Sequence, residues 1–238
     1  KHLDHLIDAG IDGVLLFGSI GEFYAIDVKT KAEAVRFAVS KVAGRMKVLV
    51  GVGDTNLDPV RTLAAESEAA GADALVAVSP YYFGPSPDCA KRYFSAVAKA
   101  TTLPVILYNF PARTGNDLTP ELVADLAAEN QNIIGIKDTV DTISHTRKVI
   151  AAVRKVNPSF SVLAGFDEYY TAATRIIKEA TLQEKDEQIY EPFGTARIRY
   201  STPAGGSESM KRQLDFARAL AGETFQMGDA NVHVGASA

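Results

Sequence analysis

Six apolar runs recur along the chain: GVLLFG at 13–18, KVLVGV at 47–52, ALVAVS at 74–79, PVILYN at 104–109, IIGIK at 133–137 and SVLAG at 161–165. Their starts lie 34, 27, 30, 29 and 28 residues apart, room enough for one helix between each pair. Each run is nearly continuous rather than alternating, which is how strands of a parallel sheet read when both faces are buried. Helical spacing is predicted over 28–43, 57–70, 87–100, 119–129 and 142–155, with a first helix before Gly10 that puts Leu3, Leu6 and Ile7 on one side. Pro87 and Pro120 fall where a first helical turn tolerates proline, and Asp27 and Thr119 fit N-caps. A βα unit repeated at this period builds a doubly wound sheet or a (β/α)8 barrel.

The polar residues decide between the two. In a barrel the loops after the strands converge on one mouth, so reactive groups collect at several strand ends. Here the first run ends in Gly18-Ser19-Ile20-Gly21-Glu22, the third in Ser79-Pro80-Tyr81-Tyr82, the fourth in Tyr108-Asn109 and the fifth in Lys137-Asp138. A dinucleotide-binding sheet instead needs a glycine-rich turn with three glycines and an acidic residue about 20 positions on. The nearest candidate, GVGDTN at 51–56, lacks the third glycine and that acidic residue. The expected fold is therefore α/β, a (β/α)8 TIM barrel in a single domain of 238 residues, with 171–238 atypical.

Charge narrows the partners. The net charge is −4 with both signs interspersed, so no basic stripe is available to nucleic acid, and no apolar run approaches a membrane span of roughly 18 residues. Small soluble molecules are the expected partners. A lone cysteine, Cys89, cannot close an intramolecular disulfide, and with no secretory signal visible a reducing cytoplasm is expected.

Lys137 is the residue whose setting asks for a function. It ends an apolar strand, so its amine emerges at the barrel mouth. A nucleophilic amine must be partly neutral, and an apolar interior disfavours the charged form. Such an amine attacks a ketone to form an imine, and the protonated imine accepts the electrons of a breaking carbon–carbon bond. Tyr108 ends the neighbouring strand and offers a phenol that can carry protons. Ser19, with the backbone amides of Ile20 and Gly21, forms a tight turn of the kind that cradles a carboxylate. Glu22 reads as a structural carboxylate beside that turn.

The segments GSIGE, SPYY, LYNFPARTG and GIKDT, in this order and spacing, resemble the dihydrodipicolinate synthase and N-acetylneuraminate lyase family of pyruvate-dependent class I aldolases. The resemblance covers about residues 3–170. It implies that Lys137 forms a Schiff base with pyruvate, that Tyr108 is the proton shuttle, and that Ser19 and Ile20 grip the pyruvate carboxylate. It implies further that Tyr82 reaches into a neighbouring subunit's site, in a tetramer built from tight dimers. No cofactor and no metal are called for; the substrates are a keto acid and an aldehyde.

Within the family the synthase pattern carries two threonines where Ser19 and Ile20 stand, whereas Arg113 matches the arginine that synthases use for the carboxylate of aspartate semialdehyde. LYNFPA, GSIGEF and NIIGIKDT together look most like the branch that cleaves 2-keto-3-deoxy sugar acids. The alternatives are a dihydrodipicolinate synthase and a non-catalytic homologue. Metal catalysis on a barrel needs histidines at strand ends, and none is expected there: His2 and His5 fall in the first helix, His145 in another, and His233 near the terminus.

The family's first strand and its eighth, with a glycine-rich loop, are not recognisable. A helix is expected at 171–180 and another within SMKRQLDFARALAG, with gap-filling strands at 197–201 and 231–235.

Overall fold

Each apolar run forms a strand, and the stretch after it returns the chain to the same edge. The computed structural model describes residues 1–165. In order they form α1 (His2–Asp8), β1 (Gly13–Leu16), two 3-10 turns (Ser19–Gly21 and Phe23–Ala25), α2 (Val28–Val42), β2 (Lys47–Gly51), α3 (Leu57–Ala70) and β3 (Ala74–Val78). There follow α4 (Pro87–Ala98), β4 (Val105–Asn109), α5 (Pro111–Thr114), α6 (Pro120–Glu129), β5 (Ile133–Asp138), α7 (Ile143–Val153) and β6 (Ser161–Ala164). Asp27 and Thr119 are N-caps as expected, accepting from the amides of Thr30 at 3.0 Å and Leu122 at 3.3 Å. Asn56 and Ser86 cap α3 and α4 in the same way, which the sequence reading did not anticipate.

All five strand pairings are parallel, and the sheet order is β1-β2-β3-β4-β5-β6. Parallel crossovers are right-handed in nearly all proteins, so an order that never reverses puts every crossover helix on one face. The helices accordingly pack in sequence, α2 on α3, α3 on α4, α4 on α6 and α6 on α7. This is the wall of a barrel rather than a doubly wound sheet. Expectations for 171–180, SMKRQLDFARALAG, 197–201 and 231–235 lie outside the described residues.

Alternation along the strands divides the core in two. Leu75 and Ala77 of β3 and Val105 and Leu107 of β4 join the helix-side core with Phe94, Leu126 and Ile136. Val76, Val78, Ile106 and Tyr108 face the other way, with Phe23, into the barrel. Burial of both faces is why the strand sequences lack polar alternation. Phe94 is fully buried among the helix-side side chains. Phe94→Ala is expected to cost about 3–5 kcal/mol of stability, read as a lower denaturant midpoint at unchanged slope.

One irregularity in β5 matters for function. Val105 pairs with Ile133, but Ile106 pairs with Gly135, so β5 holds an extra residue at Ile134. Strand side chains alternate with period two, and a one-residue slip turns every later side chain to the opposite face. Ile133 and Ile136, three residues apart, both lie in the helix-side core because of this bulge. The same bulge brings Lys137 to the inner face in register with Tyr108; an unbroken strand counted from Ile133 would aim it at the helices.

Candidate active site

The inner ends of β1, β4 and β5 bring together three of the expected side chains. The hydroxyls of Ser19 and Tyr108 lie 3.2 Å apart, in hydrogen-bond contact. The Lys137 Nζ sits 3.7 Å from the centroid of the Tyr108 ring and donates to Thr139 Oγ1 at 3.2 Å. Tyr108 is buried, and its ring also stacks on Phe110 at 5.9 Å. Beside it, Leu15, Phe17, Phe23, Gly51 and Val78 line the inner face of the strands. An amine, a phenol and a hydroxyl thus face a mostly apolar interior, a setting that strengthens electrostatic interactions with a bound carbonyl compound.

The turn holding Ser19 is bracketed by non-glycine residues in left-handed backbone, Phe17 at φ 57° and Glu22 at φ 49°. Such conformations cost about 1–3 kcal/mol each and cluster at functional sites. Within the turn the Gly21 amide donates to the carbonyl of Gly18 at 3.0 Å. The first amides of a helical turn have no partner inside it, so an anion would meet Ser19 and Ile20 rather than Gly21. The Ile20 side chain is 94% exposed, which leaves its backbone as the part suited to the site.

Arg113 is exposed on α5, with its guanidinium 6.0 Å from the Phe110 ring centroid. It therefore stands at the rim, one aromatic ring removed from Tyr108. Tyr82 does not join the three; it is 87% exposed and its ring packs edge-on against Phe83.

Sequence reading missed a polar cluster behind Lys137. The Asp138 carboxylate accepts from Asn109 Nδ2 at 3.0 Å and Thr146 Oγ1 at 2.8 Å, and bonds His145 Nδ1 at 3.0 Å. Asn109 also donates to Asp117 at 3.0 Å and accepts from the Leu118 amide at 3.0 Å. His145 lies in a helix as expected, α7, and turns its ring back to the end of β5. Its Nε2 is 3.3 Å from Asp117 Oδ1, near enough for an ion pair but not aligned for a hydrogen bond. Nothing local in the sequence signals this cluster, because its members come from β4, the loop before α6, β5 and α7.

The hydrogen bond to Asp138 raises the His145 pKa above the ordinary imidazole value; the Asp138 and Asp117 charges act in the same direction, and burial opposes them. The folded chain thus binds this proton more tightly than the unfolded chain. The resulting stability is complete below about pH 6.5 and is lost as pH rises through the folded titration. Denaturant midpoints measured from pH 5 to 9 should fall across that window in the wild type. In His145→Gln this component of the decline should be absent.

The sequence profile described as the Dihydrodipicolinate synthetase family matches residues 1–178. The chain belongs to this family. YjhH of Escherichia coli K12, provisionally named a 2-dehydro-3-deoxy-D-pentonate aldolase, is 46% identical over 166 residues, 70% of this chain and 55% of YjhH. The crystal structure of YagE, a prophage protein of the same strain, in complex with pyruvate matches with a TM-score of 0.71 at 44% identity, over 73% of this chain and 58% of YagE. The 4-hydroxy-tetrahydrodipicolinate synthase of Bacillus subtilis 168 is 34% identical over 165 residues, 69% of this chain and 56% of that enzyme. The chain spans about half the length of these relatives. Membership accords with the sequential parallel sheet and with the barrel expected from the strand period.

Proposed function

We propose that the protein is a lysine Schiff-base aldolase that cleaves 2-keto-3-deoxy sugar acids to pyruvate and a hydroxyaldehyde, or joins them. The observation carrying this reading is the inward-facing Lys137 amine, 3.7 Å from the Tyr108 ring centroid, with the Tyr108 hydroxyl bonded to Ser19. In the cleavage direction the neutral amine attacks the C2 carbonyl carbon. The resulting carbinolamine takes the Tyr108 hydroxyl proton and loses water, leaving a protonated imine and a phenolate. The Tyr108 oxygen accepts the proton of the C4 hydroxyl as the C3–C4 bond breaks, and the bonding electrons pass into the imine to form an enamine. The aldehyde leaves, Tyr108 delivers that proton to C3, and water hydrolyses the protonated imine, releasing pyruvate and the neutral amine and returning a proton to Tyr108. In this reading Tyr108 and Ser19 pass the protons in these steps, supported by the contact between their hydroxyls, while the Ser19 and Ile20 amides suit the substrate carboxylate.

Two observations favour sugar acids over aspartate semialdehyde. Ile20 has no hydroxyl to extend the Ser19–Tyr108 pair, and the relatives with sugar-acid names are 46% identical against 34–35% for the synthases. Arg113 at the rim is assigned to the distal part of the substrate. The test is a panel in which pyruvate release from 2-keto-3-deoxy-pentonate and -gluconate is compared with condensation of pyruvate and aspartate semialdehyde. Cleavage of the sugar acids should be faster; faster condensation with the semialdehyde would assign the protein to the synthases instead.

The reading includes a homotetramer in a reducing cytoplasm. Its supports are the exposed pair Tyr82 and Phe83 and the single cysteine. Light scattering gives the subunit number directly.

A further inference from the structure

Asp138 follows Lys137 directly, and successive strand side chains point to opposite faces, so its carboxylate lies behind the strand whose front carries the amine. The Asp138 side chain has no solvent exposure. A carboxylate buried this fully acts across the strand with little screening, and on its own it would hold the amine in its charged, unreactive form. The imidazole facing it at 3.0 Å is that of His145, whose side chain is 11% exposed and whose hydrogen bond to Asp138 favours its protonated form. Asp117, on the far side of the imidazole, is 47% exposed and so better screened. The other charged groups on the surrounding helices, Glu121, Asp125 and Glu129 of α6 and Arg147 and Lys148 of α7, are exposed, as is Asp141 before α7. Asn109 and Thr146 complete the hydrogen bonds of the carboxylate but bring no charge.

We propose that His145 is a charge-balancing, positioning residue for the Schiff-base lysine: its cation cancels the Asp138 carboxylate, so that the Lys137 amine can shed its proton at neutral pH. The inference rests on the Schiff-base reading above. It assigns the buried cluster a part in the reaction beyond tying α7 and the α6 approach to β5. One unbalanced charge on the order of 10 Å away through protein moves a titration by about one pH unit.

The test is the rate of borohydride trapping with pyruvate, measured against pH for the wild type, His145→Gln, Asp138→Asn and the double variant. In the wild type the rate should rise with pH to a plateau. His145→Gln, with a bare carboxylate, should move the midpoint up by about one unit and cut trapping below the midpoint about tenfold. Asp138→Asn should leave the midpoint near the wild-type value. The double variant, again without net charge, should return the midpoint from the His145→Gln position to the wild-type one. A merely structural cluster predicts no rescue, with the double variant at least as impaired as either single one.

The midpoint reads only the folded fraction, so partial unfolding lowers the amplitude without mimicking the shift. If His145→Gln does not fold, the His145 ring-proton resonance in the wild type and in Asp138→Asn serves instead. Its titration should be displaced downward in the variant without a change in the trapping midpoint. An unshifted midpoint in folded His145→Gln, a double variant that fails to rescue, or an imidazole titration indifferent to Asp138 would overturn the proposal. An untrapped wild type would instead overturn the Schiff-base reading itself.

Discussion

Lys137→Ala should form no borohydride-stable adduct with pyruvate and should cleave 2-keto-3-deoxy acids at least about a thousandfold more slowly than the wild type. The expectation follows from the bulge at Ile134, which aims this amine into the barrel in register with Tyr108. Removing the side chain takes away the electron sink as well as the nucleophile, since no imine means no acceptor for the electrons of the C3–C4 bond. The protein should stay folded, because Lys137 is only half-buried and, among the described residues, its side chain donates one hydrogen bond, to Thr139. Circular dichroism on the same preparations checks the fold. A variant that still turns over at the wild-type rate refutes the mechanism.

Tyr108→Phe should separate binding from chemistry. The ring stays, with its stack on Phe110 and its face toward the Lys137 amine; only the hydroxyl that meets Ser19 at 3.2 Å is lost. Proton transfer by a positioned group contributes about 10²–10⁴-fold, so kcat should fall within that range. Trapping with pyruvate should still reach the wild-type extent, though more slowly. Loss of one hydrogen bond should change stability by about 1 kcal/mol. Unchanged kcat would remove Tyr108 from the proton path, while loss of the fold would show that its hydroxyl is a structural tie.

Much of this was legible in the sequence. Strands buried on both faces announce themselves as unbroken apolar runs, and all six described strands fall within a residue or two of those runs. Lys137, Tyr108 and Ser19 stood out because strand ends converge in a barrel, and the structure brings the three together. What escaped depends on register and long-range contact. The spacing of Ile133 and Ile136 is visible in GIKDT's approach, yet only pairing with β4 reveals the bulge that turns Lys137 inward. The short α5 has no apolar period in Pro-Ala-Arg-Thr to announce it. The bond of His145 to Asp138 was not legible, since it spans a turn and a strand end. Tyr82 and Arg113 are both exposed, and the described contacts of their side chains are with Phe83 and Phe110.

The chain offers a rival amine. Lys31, in the first turn of α2, is 5% exposed, its Nζ lies 5.6 Å from the Phe23 ring centroid, and burial lowers its pKa. The most direct measurement is therefore peptide mapping by mass spectrometry after borohydride reduction of the wild-type protein with pyruvate. One reduced pyruvate on the peptide containing Lys137, and none on that containing Lys31, is the predicted result. An adduct on Lys31, or no adduct at all, would contradict it.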